Sequence, residues 1–271
     1  MIKLKDLIEK TLSLSDEQVF KEDMFYLLEK TFSLSRTELL TKDDLLVDEE
    51  DFSRKVNEYI EGKPLYYIIG SAPFYTREFI VTKDTLIPRN ETEELVYYVL
   101  NRVKDDNVSI LDIGTGTGCI AITLDKELEK SKVSAIDISD KALEVAKKNN
   151  AKLNANVIFY LGDCFSPIND DKYDIIVSNP PYIKRGNFVE KSVLNYEPEL
   201  ALFAEEDGLA IYHKIFMDLD KHLNPNGFAI FEISPDLEDG LKRLIEEYLP
   251  SYTFEFKEDI NKFVRFLILN K

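Results

Sequence analysis

Near the start of the chain, Leu4, Leu7, Ile8, Thr11 and Leu12 recur at the spacing of one face of a 3.6-residue helix. The pattern stays helical to about Lys63 and predicts a small helical bundle over residues 1–63. Ser15 with Gln18, and Ser35 with Glu38, have the spacing of capping boxes. Thr-Leu-Ser-Leu-Ser at 11–15 returns as Thr-Phe-Ser-Leu-Ser at 31–35, which predicts two similar corners between helices; two copies do not make a solenoid. Between Pro64 and Pro88 the strand-like pieces 74–75 and 78–82 predict a β-hairpin within a linker over 64–89.

From about Asn90 the periodicity changes. Short apolar runs near 109–112, 133–137, 157–160, 174–178, 228–232, 253–257 and 263–269 alternate with helical stretches. That alternation predicts a doubly wound α/β sheet of seven strands over 90–271.

Composition narrows the class. At 271 residues and 44% hydrophobic, the chain can bury a full core and is expected to hold one large and one small domain. It has no apolar run of membrane-spanning length and no signal-peptide core at its start, so a soluble cytoplasmic protein is expected. Cys119 and Cys164 show neither metal spacing nor a disulfide framework. His213 and His222 do not share a helix face as a zinc pair would, and no metal is expected.

Two motifs carry chemistry. Asp112-Ile113-Gly114-Thr115-Gly116-Thr117-Gly118 reads as the end of a buried strand, a glycine loop and the start of a helix. Its G-x-G-x-G spacing differs from the G-x-G-x-x-G that cradles a dinucleotide pyrophosphate. Asp137, closing the next apolar run, can accept two ribose hydroxyls, which suits NAD or S-adenosylmethionine. Asp163 supplies an acceptor at a third strand end, where an adenine amino group fits. Acids at three strand ends suit a cationic cofactor better than a pyrophosphate.

The second motif, Asn179-Pro180-Pro181-Tyr182, stands where the run Ile175-Ile176-Val177 stops. Two prolines fix φ and lack amide protons, so the Pro180 carbonyl can be aimed outward beside the Asn179 side-chain oxygen. Together they grip the two N–H groups of a planar –NH2. From the residues alone, the target is an amide or an adenine-like nitrogen.

These segments, with Asp174 to Ile183, resemble the class I S-adenosylmethionine methyltransferases that act on amide or exocyclic nitrogen. More narrowly, Pro64 to Gly70, Phe79-Ile80-Val81, Leu86 to Glu93, Tyr196 to Leu202 and Asp207-Gly208-Leu209 resemble the PrmC/HemK family, the glutamine-N5 methyltransferases of peptide chain release factors. The chain departs from the family pattern at Asn90, Cys164 and Ile233 to Asp236. The resemblance implies a Rossmann-like sheet of seven strands ending in an antiparallel hairpin, and methyl transfer from S-adenosylmethionine to the glutamine of a Gly-Gly-Gln loop. It implies cofactor contacts at Gly114, Thr115, Gly116, Thr117, Gly118, Asp137, Asp163, Cys164 and Asn179. Asn179 and Pro180 are the expected catalytic pair, with Pro181 and Tyr182 completing the substrate site and Tyr182 packing along the flat amide. Release factors are the expected partners of a monomer, and the helical domain is expected to recognise them.

A net charge of −17 weighs against the main alternative, an adenine-N6 methyltransferase of DNA or RNA. Neutralising phosphates takes a basic face, whereas this chain has acidic runs at Asp43-Asp44 and Asp48 to Asp51. An intact glycine loop and Asn-Pro-Pro-Tyr segment weigh against a non-catalytic binding module, and the loop spacing weighs against an NAD dehydrogenase.

Overall fold

The computed structural model describes residues 1–271, which divide into two compact units: Met1–Ser71 with Glu190–Tyr196, and Ala72–Val189 with Glu197–Lys271. The first unit contains β1 (Ile2–Lys3), α1 (Leu4–Leu12), α2 (Gln18–Phe32), α3 (Arg36–Thr41), β2 (Leu46–Val47), α4 (Glu50–Ile60) and α5 (Leu65–Ile69). Leu4, Leu7, Met24, Leu27, Leu39 and Phe52 form its core, so the helical spacing at the start of the chain marks a buried face.

Three local expectations need correction. The unit is not wholly helical, because β1 and β2 pair antiparallel, Ile2 facing Val47. Helix also continues past Lys63 as α5, inside the segment read as linker. Of the two capping boxes, the one at Ser35 forms: its hydroxyl accepts the Glu38 N–H at 3.3 Å, and the Glu38 carboxylate accepts the Ser35 N–H at 2.9 Å. The one at Ser15 does not. Its hydroxyl accepts the Glu17 N–H at 3.2 Å, closing a local turn, and α2 begins after Glu17 without a side-chain cap.

The second unit opens with the hairpin of β3 (Ser71–Phe74) and β4 (Arg77–Ile80). Then come α6 (Asn90–Arg102), β5 (Ser109–Ile113), α7 (Cys119–Glu127), β6 (Lys132–Asp137), α8 (Asp140–Lys152), β7 (Ile158–Leu161) and β8 (Tyr173–Ser178). The short β9 (Ile183–Lys184) precedes α9 (Lys191–Tyr196), which groups with the first unit. After it follow α10 (Glu199–Leu202), β10 (Phe203–Ala204), α11 (Ala210–His222), β11 (Leu223–Glu232), α12 (Glu238–Tyr248), β12 (Thr253–Glu258) and β13 (Val264–Asn270).

The main sheet has the order β12-β13-β11-β8-β5-β6-β7. Strands β7, β6, β5, β8 and β11 run parallel, and β13 lies antiparallel between β11 and β12. Leu111, Ile176, Phe231 and Leu267 pack with Tyr212 and Phe216 of α11 and Leu241 of α12. Their chain neighbours Ile110, Ile175, Ile230 and Phe266 pack with Val96 of α6 and Ile120 of α7. Successive side chains thus enter opposite faces, and helices cover both, which explains why these strands read as unbroken apolar runs. The direction of strand addition reverses between β5 and β8. At such a switch the loops leaving adjacent strands part, opening a crevice at the carboxyl ends.

Candidate active site

The glycine loop leaves β5 and the Asn-Pro-Pro-Tyr segment leaves β8 at this switch. Between them lies a cavity of about 270 Å³, whose wall includes Gly114, Thr115, Gly116, Thr117, Asp137, Asp163, Cys164, Asn179, Pro180 and Pro181. Gly114 and Gly116 have φ of +76° and +56°, and a Cβ on either would meet no atom within 4 Å. The space over the loop is therefore open to a ligand. Gly118 has another task. It caps α7 at φ +81°, and a Cβ there would lie 2.8 Å from Ile122 and 3.3 Å from Ala146 of α8. It lets two helices approach and lies outside the cavity wall.

The loop is held from beneath. The N–H groups of Gly114 and Thr115 donate to the Ile136 carbonyl at 2.9 and 3.0 Å. The Thr115 hydroxyl donates to Asp112 Oδ2 at 2.6 Å. Asp112 is fully buried and does not line the cavity; burial pushes its carboxyl up to about 7.

Asp137 does face the cavity. Its Oδ2 accepts the Gly116 N–H and its Oδ1 the Ser139 N–H, each at 2.8 Å. Burial raises its carboxyl while these two amides oppose the shift. Each oxygen keeps a further lone pair for a ribose hydroxyl. The open glycine loop beside an anchored carboxylate therefore fits the nucleoside end of S-adenosylmethionine. Asp163 stands at the rim, where its Oδ2 accepts from Lys214 Nζ at 2.7 Å, and that bond holds its carboxyl low. The Cys164 thiol lies 3.4 Å from Asp163 Oδ1. Burial raises both Cys119 and Cys164 to about 12, so neither is a thiolate at neutral pH.

Asn179 Nδ2 donates to the Thr92 hydroxyl at 3.0 Å, which turns its Oδ1 away from Thr92. The Thr92 hydroxyl in turn donates to Glu232 Oε2 at 2.7 Å. Tyr182 does not line the cavity; its ring packs against the core cluster that includes Tyr212, and burial raises its hydroxyl to about 12.

Arg89, Thr92, Ser139 and Lys214 also line the cavity, and sequence reasoning gave none of them a role. The Arg89 guanidinium donates to the buried Glu197 carboxylate at 2.6 Å. This pair joins two segments, Leu86 to Glu93 and Tyr196 to Leu202, that carried the resemblance. Those segments were the available signal. Nothing local indicated that Thr92 would bond to a residue 140 positions away.

Comparison with known proteins agrees with this geometry. Residues 92–196 match the family model described as methyltransferase small domain. A release factor glutamine methyltransferase of Enterococcus faecalis is 40% identical over 200 residues, covering 73% of this chain and 72% of that protein. The chain belongs to the release factor glutamine methyltransferase family. A second member, from Streptococcus pneumoniae, is 46% identical over 190 residues, covering 69% of this chain and 68% of its own length. A methyltransferase structure from Pyrococcus furiosus, 20% identical, superposes with a TM-score of 0.56 over 81% of this methyltransferase and 99% of its own chain, and shows the shared fold. The order of the parallel strands and the antiparallel β13 are thus those of a class I methyltransferase. No helix is long and apolar enough to cross a membrane.

Proposed function

We propose that this chain methylates the side-chain amide nitrogen of the glutamine in the Gly-Gly-Gln loop of peptide chain release factors, acting as a monomer in the cytoplasm. S-adenosylmethionine, when bound, supplies an electrophilic methyl group on a sulfonium. The chain's residues make a poor nucleophile ready for it. The observation that carries this reading is the placement of Asn179 and Pro180 on the wall of the cavity that also contains the glycine loop and Asp137.

A glutamine amide nitrogen is weakly nucleophilic because its lone pair is delocalised into the carbonyl. Asn179 Oδ1 and the Pro180 carbonyl accept its two N–H bonds and fix the plane of the –NH2 group. As the nitrogen pyramidalises and gains positive charge, both acceptors stabilise it more than they stabilise the starting amide. An N-methylated amide nitrogen bearing positive charge is strongly acidic and yields its proton to water, so no side-chain base is required. Asp137 and the glycine loop, which line the same cavity, would hold the cofactor, making methyl transfer effectively unimolecular.

Calorimetric titration with the wild type and Asn179→Ala separates binding from chemistry. S-adenosylmethionine is expected to bind the wild type and NAD is not, while the variant retains most cofactor affinity and loses transfer. Binding of NAD without S-adenosylmethionine would overturn the reading.

A further inference from the structure

The side chains behind Asn179 form a directed chain of hydrogen bonds. Asn179 Nδ2 donates to the Thr92 hydroxyl at 3.0 Å, and that hydroxyl donates to Glu232 Oε2 at 2.7 Å. Thr92, in the first turn of α6, is 3% exposed, and Glu232, at the carboxyl end of β11, is 2% exposed. A threonine hydroxyl carries one proton. With that proton committed to the carboxylate, Thr92 offers Asn179 only lone pairs, and the amide must answer with its –NH2 end. Its oxygen is thereby turned away from Thr92. Without this constraint an asparagine amide can rotate by 180° about its last torsion and present –NH2 to the substrate, which repels the N–H groups it is meant to grip.

Building on the function above, we propose that Thr92 and Glu232 are positioning residues: their hydrogen-bonded pair fixes the Asn179 amide with its oxygen toward the substrate nitrogen, and the ionised Glu232 carboxylate sets that direction. When Glu232 is protonated, its O–H can donate to Thr92, the Thr92 proton is released toward Asn179, and either end of the amide is accepted.

The surroundings of Glu232 make this switch relevant near neutrality. Burial pushes its carboxyl up to about 7, and the neighbouring Glu91 acts in the same direction. The Thr92 hydrogen bond and the Arg265 and Arg89 guanidinium groups oppose them. Arg265, on β13, is itself engaged by Asp259 at 3.1 Å. The nearby Tyr212 hydroxyl donates at 2.6 Å to the Glu232 backbone carbonyl and not to its carboxylate. Tyr182 is the remaining titratable neighbour, and burial keeps it protonated across this range.

The test uses the full chain with Thr92→Val, Thr92→Ser and Glu232→Gln, each checked by thermal melting. Methyl transfer to a release factor is followed from pH 6 to 8.5, and the Asn179 side-chain amide is followed by 15N NMR. Thr92→Val is expected to lower kcat by about 10-fold or more, the size of one lost hydrogen bond, with little change in the Kd for S-adenosylmethionine. Thr92→Ser restores most of it. The wild-type kcat falls on the acid side of about pH 7, and Glu232→Gln has a lower kcat without that limb. The Asn179 amide protons exchange slowly in the wild type and fast in Thr92→Val.

Wild-type kcat in Thr92→Val, an acid limb that persists in Glu232→Gln, or an amide signal indifferent to both substitutions would each overturn the proposal. If Thr92→Val does not fold, Thr92→Ser and Glu232→Gln carry the same test. A wild type that transfers no methyl to release factors would refute the functional reading, while the NMR signal would still decide the relay.

Discussion

In the proposed mechanism Asn179 acts through one oxygen atom, and the hydrogen bond from its Nδ2 to the Thr92 hydroxyl turns that atom away from Thr92. Asn179→Ala removes one acceptor of the developing charge and is expected to lower kcat on the order of 100-fold or more, measured under single-turnover conditions with saturating cofactor. That Asn179 and Pro180 would line a cavity with the glycine loop was legible in the sequence because two prolines after an apolar strand leave few conformations. The bond from Thr92 to Glu232 was not, because a threonine in a helix's first turn and a glutamate at a strand end are each ordinary surface choices. Arg89 was hidden in the same way. Its partner Glu197 has a side chain only 1% exposed, so Arg89→Ala leaves a carboxylate buried without its cation. Loss of about 3 kcal/mol is expected, read as a lowered denaturation midpoint with unchanged m-value.

Among elements, the glycine loop separates two kinds of glycine that look alike in sequence. Gly116→Ala adds a methyl to open space over the cavity at φ +56°; it is expected to weaken cofactor binding more than it weakens the fold. Gly118→Ala places a methyl 2.8 Å from Ile122 at φ +81°, and is expected to cost about 1–3 kcal/mol of stability. Paired melting curves and cofactor titrations distinguish the two; equal effects on both quantities in both variants would contradict the division. The parallel strands were legible for a physical reason: each is buried on both faces and shows a continuous apolar run, as Ile175-Ile176-Val177 does. Short elements resisted the same reading. A two-residue strand such as β1 has no periodicity to detect, and Ser15 has capping spacing yet spends its hydroxyl on the N–H of Glu17, one residue before Gln18.

Over the whole molecule, buried carboxyls make stability depend on pH. Asp112 titrates near 7 in the folded chain and at about 3.9 when unfolded. Between those values the folded state binds the extra proton, so stability falls as pH rises through about 4 to 7 and levels off above it. Asp112→Asn removes this loss. Its melting temperature is expected to shift upward relative to wild type between pH 5 and pH 8, and a constant difference would contradict the assignment. The change of periodicity near residue 90 does not mark the division between the two units, which falls after Ser71 within the segment read as a linker; the grouping of Glu190–Tyr196 with the first unit was not legible either, because a chain excursion leaves no local pattern. Net charge of −17 and the acidic runs favour a protein over a nucleic-acid substrate.

Methyl transfer from labelled S-adenosylmethionine decides the substrate when a release factor, the same factor with the glutamine of its Gly-Gly-Gln loop replaced, and duplex DNA are offered in parallel. Label is expected in the intact factor alone, and none with the Asn179→Ala enzyme; label in the DNA, or in the factor lacking that glutamine, would contradict glutamine methylation.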